Sequence, residues 1–554
     1  MPLLILFATF ALLQDQDRPA PPQAPRRAVR EARGRDEGAR PSTRPAEMVA
    51  GREPSSRPAT AGGGAPAADR AVTTQHEITI AGKPLKYQAT AGTMAMKDEA
   101  GKPKASIFYI AYALNHAPDF DVSKRPITFV FNGGPGAAAV WLHMGTVGPK
   151  RIKLAENGEP PPPPYRLVDN EYTWLADTDL VFIDPVGTGF SRAAPGEKPE
   201  QFYGVTEDIN SVGDFIRLYI SRSGRWSSPK FLAGESYGTT RAAALSDFLH
   251  ERYGIDLNGI CLISTVLNFQ VIAAGESNDL PYPMYLPSYA AAAWYHKKLP
   301  ADLQQKDLPS LLKEVEQWSI GQYVPALAKG AAQSQDERKR TAERLSRYTS
   351  LPQDLIERSN LRIDPGLFEQ TLLKAERKTI GRMDSRISGF DPQPNSAYPH
   401  YDPSMTRYFG PYAGTFNDYV RRELNFDSDT PYEVLSGRVQ PWNVAGRAGM
   451  TTGYLYVGDN LRSAMMKNPY MKILVCSGYY DLATPYFGTD YTVEQLDLGP
   501  DLQKNITRTY YEGGHMMYHS VAASQKLHEN FAAFVKSATT SSQEAAPTTP
   551  PPGR

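Results

Sequence analysis

An α/β fold, with a mostly parallel central sheet flanked by helices and a mainly helical cap insertion, is what this 554-residue sequence predicts. Three observations carry the prediction. Short runs such as "PITFVF", "TDLVFID", "PKFLAG", "GICLIS" and "KILVCSG" are apolar throughout, as strands are when both faces of a sheet are covered. Helix-period stretches ("DINSVGDFIRLYISR", "RAAALSDFLHERYG") alternate with several of them, which implies parallel pairing through helical crossovers. The alternation stops after Asn268 and resumes at "KILVCSG", so one core is interrupted by an insertion.

Taken in order, residues 1–13 contain the apolar run "LLILFATFALL". It is shorter than the roughly 20 residues that span a bilayer and suits the apolar region of a signal peptide. An exported protein, periplasmic or extracellular and without stable membrane insertion, is therefore expected. Residues 14–75 are rich in Pro, Ala, Arg and Gly, and such a segment buries too little apolar surface to offset its ordering entropy. They read as a disordered linker. Residues 76–272 form the first part of the core and open with "HEITIAGKPLKYQATAGTMAM" and "ASIFYIAYAL". Their alternation predicts antiparallel strands, with a turn at Ala81-Gly82. Residues 273–450 form the insertion, with helical segments at "LPSLLKEVEQWS", "DERKRTAERLSRYTS", "FEQTLLKAERKT" and "FNDYVRRELNF". Residues 451–538 complete the core, since the strands after the insertion are too few for a sheet of their own. Residues 539–554 read as a disordered tail.

Lys+Arg and Asp+Glu both number 60, which gives no support for nucleic-acid binding. The two cysteines, Cys261 and Cys476, lie in strand-like runs and read as inert buried thiols rather than a disulfide.

The chemistry centres on "FLAGESYGTTR". Gly234-Glu235-Ser236-Tyr237-Gly238 has a strand before it and a helix after it, the context a nucleophile elbow requires. A serine on so tight a turn is strained, and side chains two positions either side would collide with the flanking elements. Two other serines lack this setting: Ser277 follows no strand, and Ser191 has no matching second glycine. A nucleophilic serine needs a base and an orienting acid, which follow it on this fold in the order acid, then histidine. Asp481 and His515 both lie just past strand ends, where open α/β sheets assemble their sites. His143 and Asp490 are the rivals for base and acid. His519 stands four residues past His515, but with no His-Glu-x-x-His and no third ligand nearby a zinc site is rejected. Asn132-Gly133-Gly134-Pro135-Gly136, directly after a strand, offers backbone N–H groups that can approach a substrate oxygen closely.

Together, "NGGPG", "FIDPVGTGFSR", "GESYG", "SGYYDLATPY" and "GGHM" occur in the order and context of the serine carboxypeptidase family of α/β-hydrolases. The chain resembles that family, in a bacterial-type form, from about Arg125 to Ser537. The resemblance implies Ser236 as nucleophile, His515 as general base and acid, and Asp481 as its orienting partner. It implies the N–H groups of Gly134 and Tyr237 as the oxyanion hole, and Asn132, Gly133 and Glu235 as the binders of a peptide's free C-terminal carboxylate. The substrates would be peptides, and no metal or cofactor is called for. Two departures stand out: Ala137-Ala138-Ala139 replaces the family's Cys-Ser-Ser, and Thr146 stands where a second glutamate usually pairs with the one before the serine. With one like-charged neighbour gone, a pH optimum nearer neutral than the family's acidic norm is expected. An acyltransferase or esterase on the same triad is the alternative enzyme, and a non-catalytic binding protein the alternative outside enzymes.

Overall fold

The computed structural model describes residues 69–444 and 453–544. The expected export signal, most of the expected linker and the last ten residues lie outside them. One ten-stranded sheet forms the spine of the molecule. β1 (Arg70–Ile80), β2 (Lys83–Lys97) and β3 (Pro103–Leu114) are antiparallel neighbours. Ile80 pairs with Lys83 across Ala81 and Gly82, whose φ of 47° and 77° suit a two-residue hairpin turn. β1 takes in residues 70–75 of the stretch expected as linker, because the long β2 offers them backbone partners from Gln88 to Thr93.

The parallel part comprises β4 (Ile127–Phe131), β5 (Asp179–Ile183), β6 (Lys230–Ser236), β7 (Gly259–Thr265), β8 (Lys472–Gly478) and β9 (Ile506–Tyr511). The spatial order is β1-β2-β3-β5-β4-β6-β7-β8-β9, with the short Arg192–Ala193 added to β3. Both faces are covered, as the apolar runs predict. Phe129, Phe131 and Leu232 pack on one side with α1 (Val205–Arg222) and α2 (Tyr237–Tyr253). Val130, Phe231 and Ala233 pack on the other, against a C-terminal helix that contributes Leu527 and Phe531. That helix continues to Glu544 and so takes in six residues, 539–544, of the expected tail.

The insertion is mainly helical, with α3 (Pro281–Tyr295), α4 (Leu308–Trp318) and α5 (Gln335–Thr349) around an apolar cluster that also takes in Tyr237, Val266 and Leu482 of the core. "FEQTLLKAERKT" is α-helical only to Thr371, with a single 3-10 turn at Lys374–Glu376. Beyond it the chain turns through Arg377 (φ 53°), because Lys378–Ile380 pairs with Ser388–Phe390 as a small hairpin. α6 (Pro403–Arg422) buries Tyr412, Phe416 and Tyr419 in the main core beside Trp141, so the insertion shares its packing with the sheet. Cys261 and Cys476 are buried and free on the adjacent strands β7 and β8. Among the described residues no helix is long and apolar enough to cross a membrane.

Candidate active site

Strand register assembles the site. Phe131 of β4 lies opposite Gly234 of β6, so the next residues, Asn132 and Glu235, emerge side by side at the C-terminal end of the sheet. Gly478 of β8 lies opposite Tyr511 of β9, so the loops carrying Asp481 and His515 leave at that same end.

Ser236 stands at the strand–helix junction with φ 60° and ψ −130°, a backbone conformation that L residues rarely adopt. A Cβ on Gly234 would come within 2.2 Å of the Gly238 carbonyl oxygen, and one on Gly238 within 2.8 Å of the Phe131 carbonyl oxygen. The first glycine is thus required by the following helix and the second by the neighbouring strand β4. The Asn132–Gly136 segment presses on the same turn. A Cβ on Gly133 would lie 2.4 Å from the Tyr237 nitrogen and 2.5 Å from that of Gly238. Gly134 has φ 98°. As the first residue of α2, Tyr237 has an N–H outside the helical hydrogen-bond ladder.

His515 and Asp481 are buried and directly bonded: Nδ1 of the histidine lies 2.7 Å from Oδ2 of the acid. The carboxylate is held by its own loop. Its Oδ1 accepts from the N–H groups of Ala483 (2.7 Å) and Thr484 (2.9 Å), and its Oδ2 accepts from the Thr484 hydroxyl (2.7 Å). Burial alone depresses the His515 pKa, but the charge and hydrogen bond of Asp481, with Glu235 adding to them, raise it above 6.5 overall. The insertion reaches over these loops. His515 N–H donates to Met383 O (2.6 Å), Gly514 N–H to Asp384 Oδ2 (3.2 Å) and Leu482 N–H to Arg382 O (3.0 Å).

Asn132 and Glu235 form the other half of the site. Asn132 Nδ2 donates to Glu235 Oε1 (3.0 Å), while its Oδ1 accepts from Leu142 N–H (3.0 Å), which fixes the orientation of the amide. Glu235 is buried, and its Oε2 has no hydrogen-bond partner among the described residues. Burial raises its pKa from 4.5 to about 7, with Asp481 adding to the rise and His515, Tyr518 and Asn132 opposing it. A carboxyl tuned this way can carry a proton near neutrality.

The rivals lie elsewhere. His143 is a core residue: it stacks on Phe182 at 4.2 Å between ring centroids and hydrogen-bonds Tyr112 (2.7 Å), and burial lowers its pKa to about 3. His519 pairs with the Tyr412 hydroxyl (2.9 Å). Asp490 accepts from the Tyr510 hydroxyl at 2.9 Å. Ser191 donates to Asp184 O and accepts from Phe108 N–H, a structural role, and Ser277 sits in a tight turn with φ 66°. A cleft opens at the opposite end of the sheet, beside Pro126, Lys230 and Asn258, away from Ser236, Asp481 and His515.

Sequence reasoning missed the supports. Arg241 is buried on α2, where its Nε donates to Asp208 Oδ2 (2.7 Å) and its Nη1 to Asn132 O (2.6 Å). It ties the elbow helix to the Asn132 loop. A charged residue among the alanines of "TTRAAAL" was the available signal. Thr484, which braces Asp481, gave none.

A family model described as serine carboxypeptidase matches residues 81–540. Among curated proteins, serine carboxypeptidase-like 33 of Arabidopsis thaliana is 29% identical over 154 residues, covering 27% of this chain and 29% of that protein. Serine carboxypeptidase-like 1 of the same plant is 25% identical over 209 residues, covering 36% of this chain and 43% of that protein. The chain thus aligns with less than half the length of these relatives. Among solved structures, Kex1(delta)p, a prohormone-processing carboxypeptidase from Saccharomyces cerevisiae, is similar with a TM-score of 0.50 at 16% identity. The match covers 81% of this chain and 91% of that one, and at that identity it speaks for the α/β-hydrolase fold alone.

Proposed function

Because the chain belongs to the serine carboxypeptidase family, we propose that it hydrolyses the C-terminal peptide bond of peptides through an acyl-enzyme on Ser236. In this reading Ser236 Oγ attacks the scissile carbonyl while His515 Nε2 takes its proton. Asp481 holds the opposite ring nitrogen, Nδ1, and stabilises the imidazolium. The N–H groups of Gly134 and Tyr237 receive the oxyanion. His515 then returns the proton to the leaving nitrogen, the C–N bond breaks, and a C-terminal residue departs. Water, deprotonated by the same histidine, releases the shortened peptide. None of these steps calls on a metal or cofactor. The apolar run at Leu3 to Leu13 supports export, and the insertion segment over the triad loops supports a site that takes chain ends.

The observation that carries the proposal is the Asn132–Glu235 pair beside the nucleophile. An ionised carboxylate would repel a substrate carboxylate, whereas a carboxyl with its pKa lifted to about 7 can share a proton with one. With Asn132 and the Gly133 backbone beside it, the pair suits a free chain end.

The test compares an N-blocked dipeptide with its C-terminal amide. The acid should be cleaved with kcat/KM about 10²-fold higher or more, since a charge-assisted hydrogen-bond set is lost with the amide. Equal turnover of acid and amide, or cleavage of simple esters with no peptide turnover, would favour the esterase or acyltransferase reading.

A further inference from the structure

We propose that Tyr518 is a positioning residue for Glu235: its phenol completes the carboxyl group's hydrogen bonding at Oε2 and so sets how the chain-end binding pair is held. The inference rests on the carboxypeptidase reading above.

Glu235 Oε2 and the Tyr518 hydroxyl are both buried and lack a hydrogen-bond partner of full geometry among the described residues. The two groups face each other: hydrogen bonding with Tyr518 lowers the Glu235 pKa, and the charge of Glu235 and that bond raise the Tyr518 pKa, yet neither atom reaches full hydrogen-bond geometry. Leaving both unmade is costly in a buried setting, and a small rotation that joins them removes both costs. The tyrosine has little freedom to turn elsewhere. Its ring lies against the backbone of Gly145, where an added Cβ would be 2.4 Å from Cε2 and 2.7 Å from the Tyr412 hydroxyl. That second hydroxyl is engaged by His519 at 2.9 Å. Thr146, next in the chain, turns its hydroxyl to Ser524 Oγ at 3.0 Å. Oε1 is occupied by Asn132. Tyr518 is therefore the group placed to serve Oε2, and it lies three residues past His515 in the same loop.

The sign of the effect follows from the partners. The groups acting on Glu235 are His515, Asp481, Asn132, Tyr518 and Tyr412, from four separate elements. A phenol that donates to Oε2 favours the ionised form of Glu235 and opposes the upward shift caused by burial. Binding a substrate carboxylate needs the proton on the pair, so kcat/KM for a free-acid substrate should fall as pH rises through the Glu235 pKa. Removing the phenol raises that pKa and moves the fall to higher pH.

The experiment records pH profiles of kcat/KM for wild type and Tyr518→Phe on two substrates, an N-blocked dipeptide with a free acid and its C-terminal ester. In the variant the alkaline limb for the acid should move up by about 1 pH unit, while that for the ester stays in place. An unmoved or lowered limb for the acid, or equal movement for both substrates, overturns the proposal. Glu235→Gln supplies the second arm: without a titrating carboxyl, this alkaline limb should disappear, and its persistence also overturns the proposal. A wild type with no preference for the free acid would bring down the carboxypeptidase reading and this inference together. A wild type with that preference and an unmoved limb in Tyr518→Phe brings down the inference alone.

Discussion

Ser236→Ala should lower kcat by about 10⁴- to 10⁶-fold while leaving the fold intact. The two halves of this expectation have separate causes. The serine hydroxyl makes no hydrogen bond among the described residues, in contrast to Ser191, which is bonded on both sides. Alanine faces the same strain at φ 60° as serine does, so the turn loses nothing by the exchange. Thermal unfolding should therefore stay within a few degrees of wild type, and labelling by a fluorophosphonate should vanish. A variant that kept its turnover would move the nucleophile elsewhere in the molecule.

Asp481→Asn should lower kcat by about 10⁴-fold at neutral pH, because of how the loop would hold the new amide. Two backbone N–H groups, of Ala483 and Thr484, bond the Oδ1 side. They will keep an oxygen facing them, which turns the NH₂ of asparagine toward His515 Nδ1. That nitrogen must then accept, the ring proton moves to Nε2, and the histidine can no longer take a proton from Ser236. The loss of charge has a second effect. Asp481 is the main influence holding the His515 pKa above 6.5 against burial, so the acid limb of the residual activity should shift to lower pH. A loss of only tenfold, or an acid limb that stays in place, would remove Asp481 from the role of orienting acid.

How far the sequence carries this account depends on whether a feature is local. The elbow is local: strand, Gly-x-Ser-x-Gly and helix lie within 30 residues, and the helix that follows supplies the steric reason for Gly234, although that for Gly238 is the Phe131 carbonyl of β4. Asp481 is also accessible, since its loop follows the apolar run "KILVCSG", and His515 follows "ITRTYY", a β-branched and aromatic run with a polar, partly exposed face. The pairing of Asn132 with Glu235 needs the register of β4 on β6, which no single run specifies. Tyr518, Arg241 and Thr484 act only through partners brought close by folding, and they carry no pattern of their own. Some secondary structure is hidden from the sequence for similar reasons. α3 holds Pro281, Pro283 and Pro287. Pro281 and Pro283 lie in the first turn, but Pro287 inside the helix costs a hydrogen bond, and packing against the rest of the insertion outweighs propensity. "FEQTLLKAERKT" has the composition of a longer helix than forms, since the hairpin at 378–390 claims its end. Arg70 to Gln75 joined β1 because β2 had unpaired backbone to offer, which composition does not show.

The proposed reaction is the removal of single residues from free peptide C-termini. Mass spectrometry of an N-blocked, ten-residue peptide sampled over time during incubation with the enzyme tests it most directly. A ladder of products shortened one residue at a time from the C-terminus, and halted by fluorophosphonate modification of Ser236, is the predicted result. Internal fragments, release of dipeptides, or a ladder that survives modification of Ser236 would contradict it.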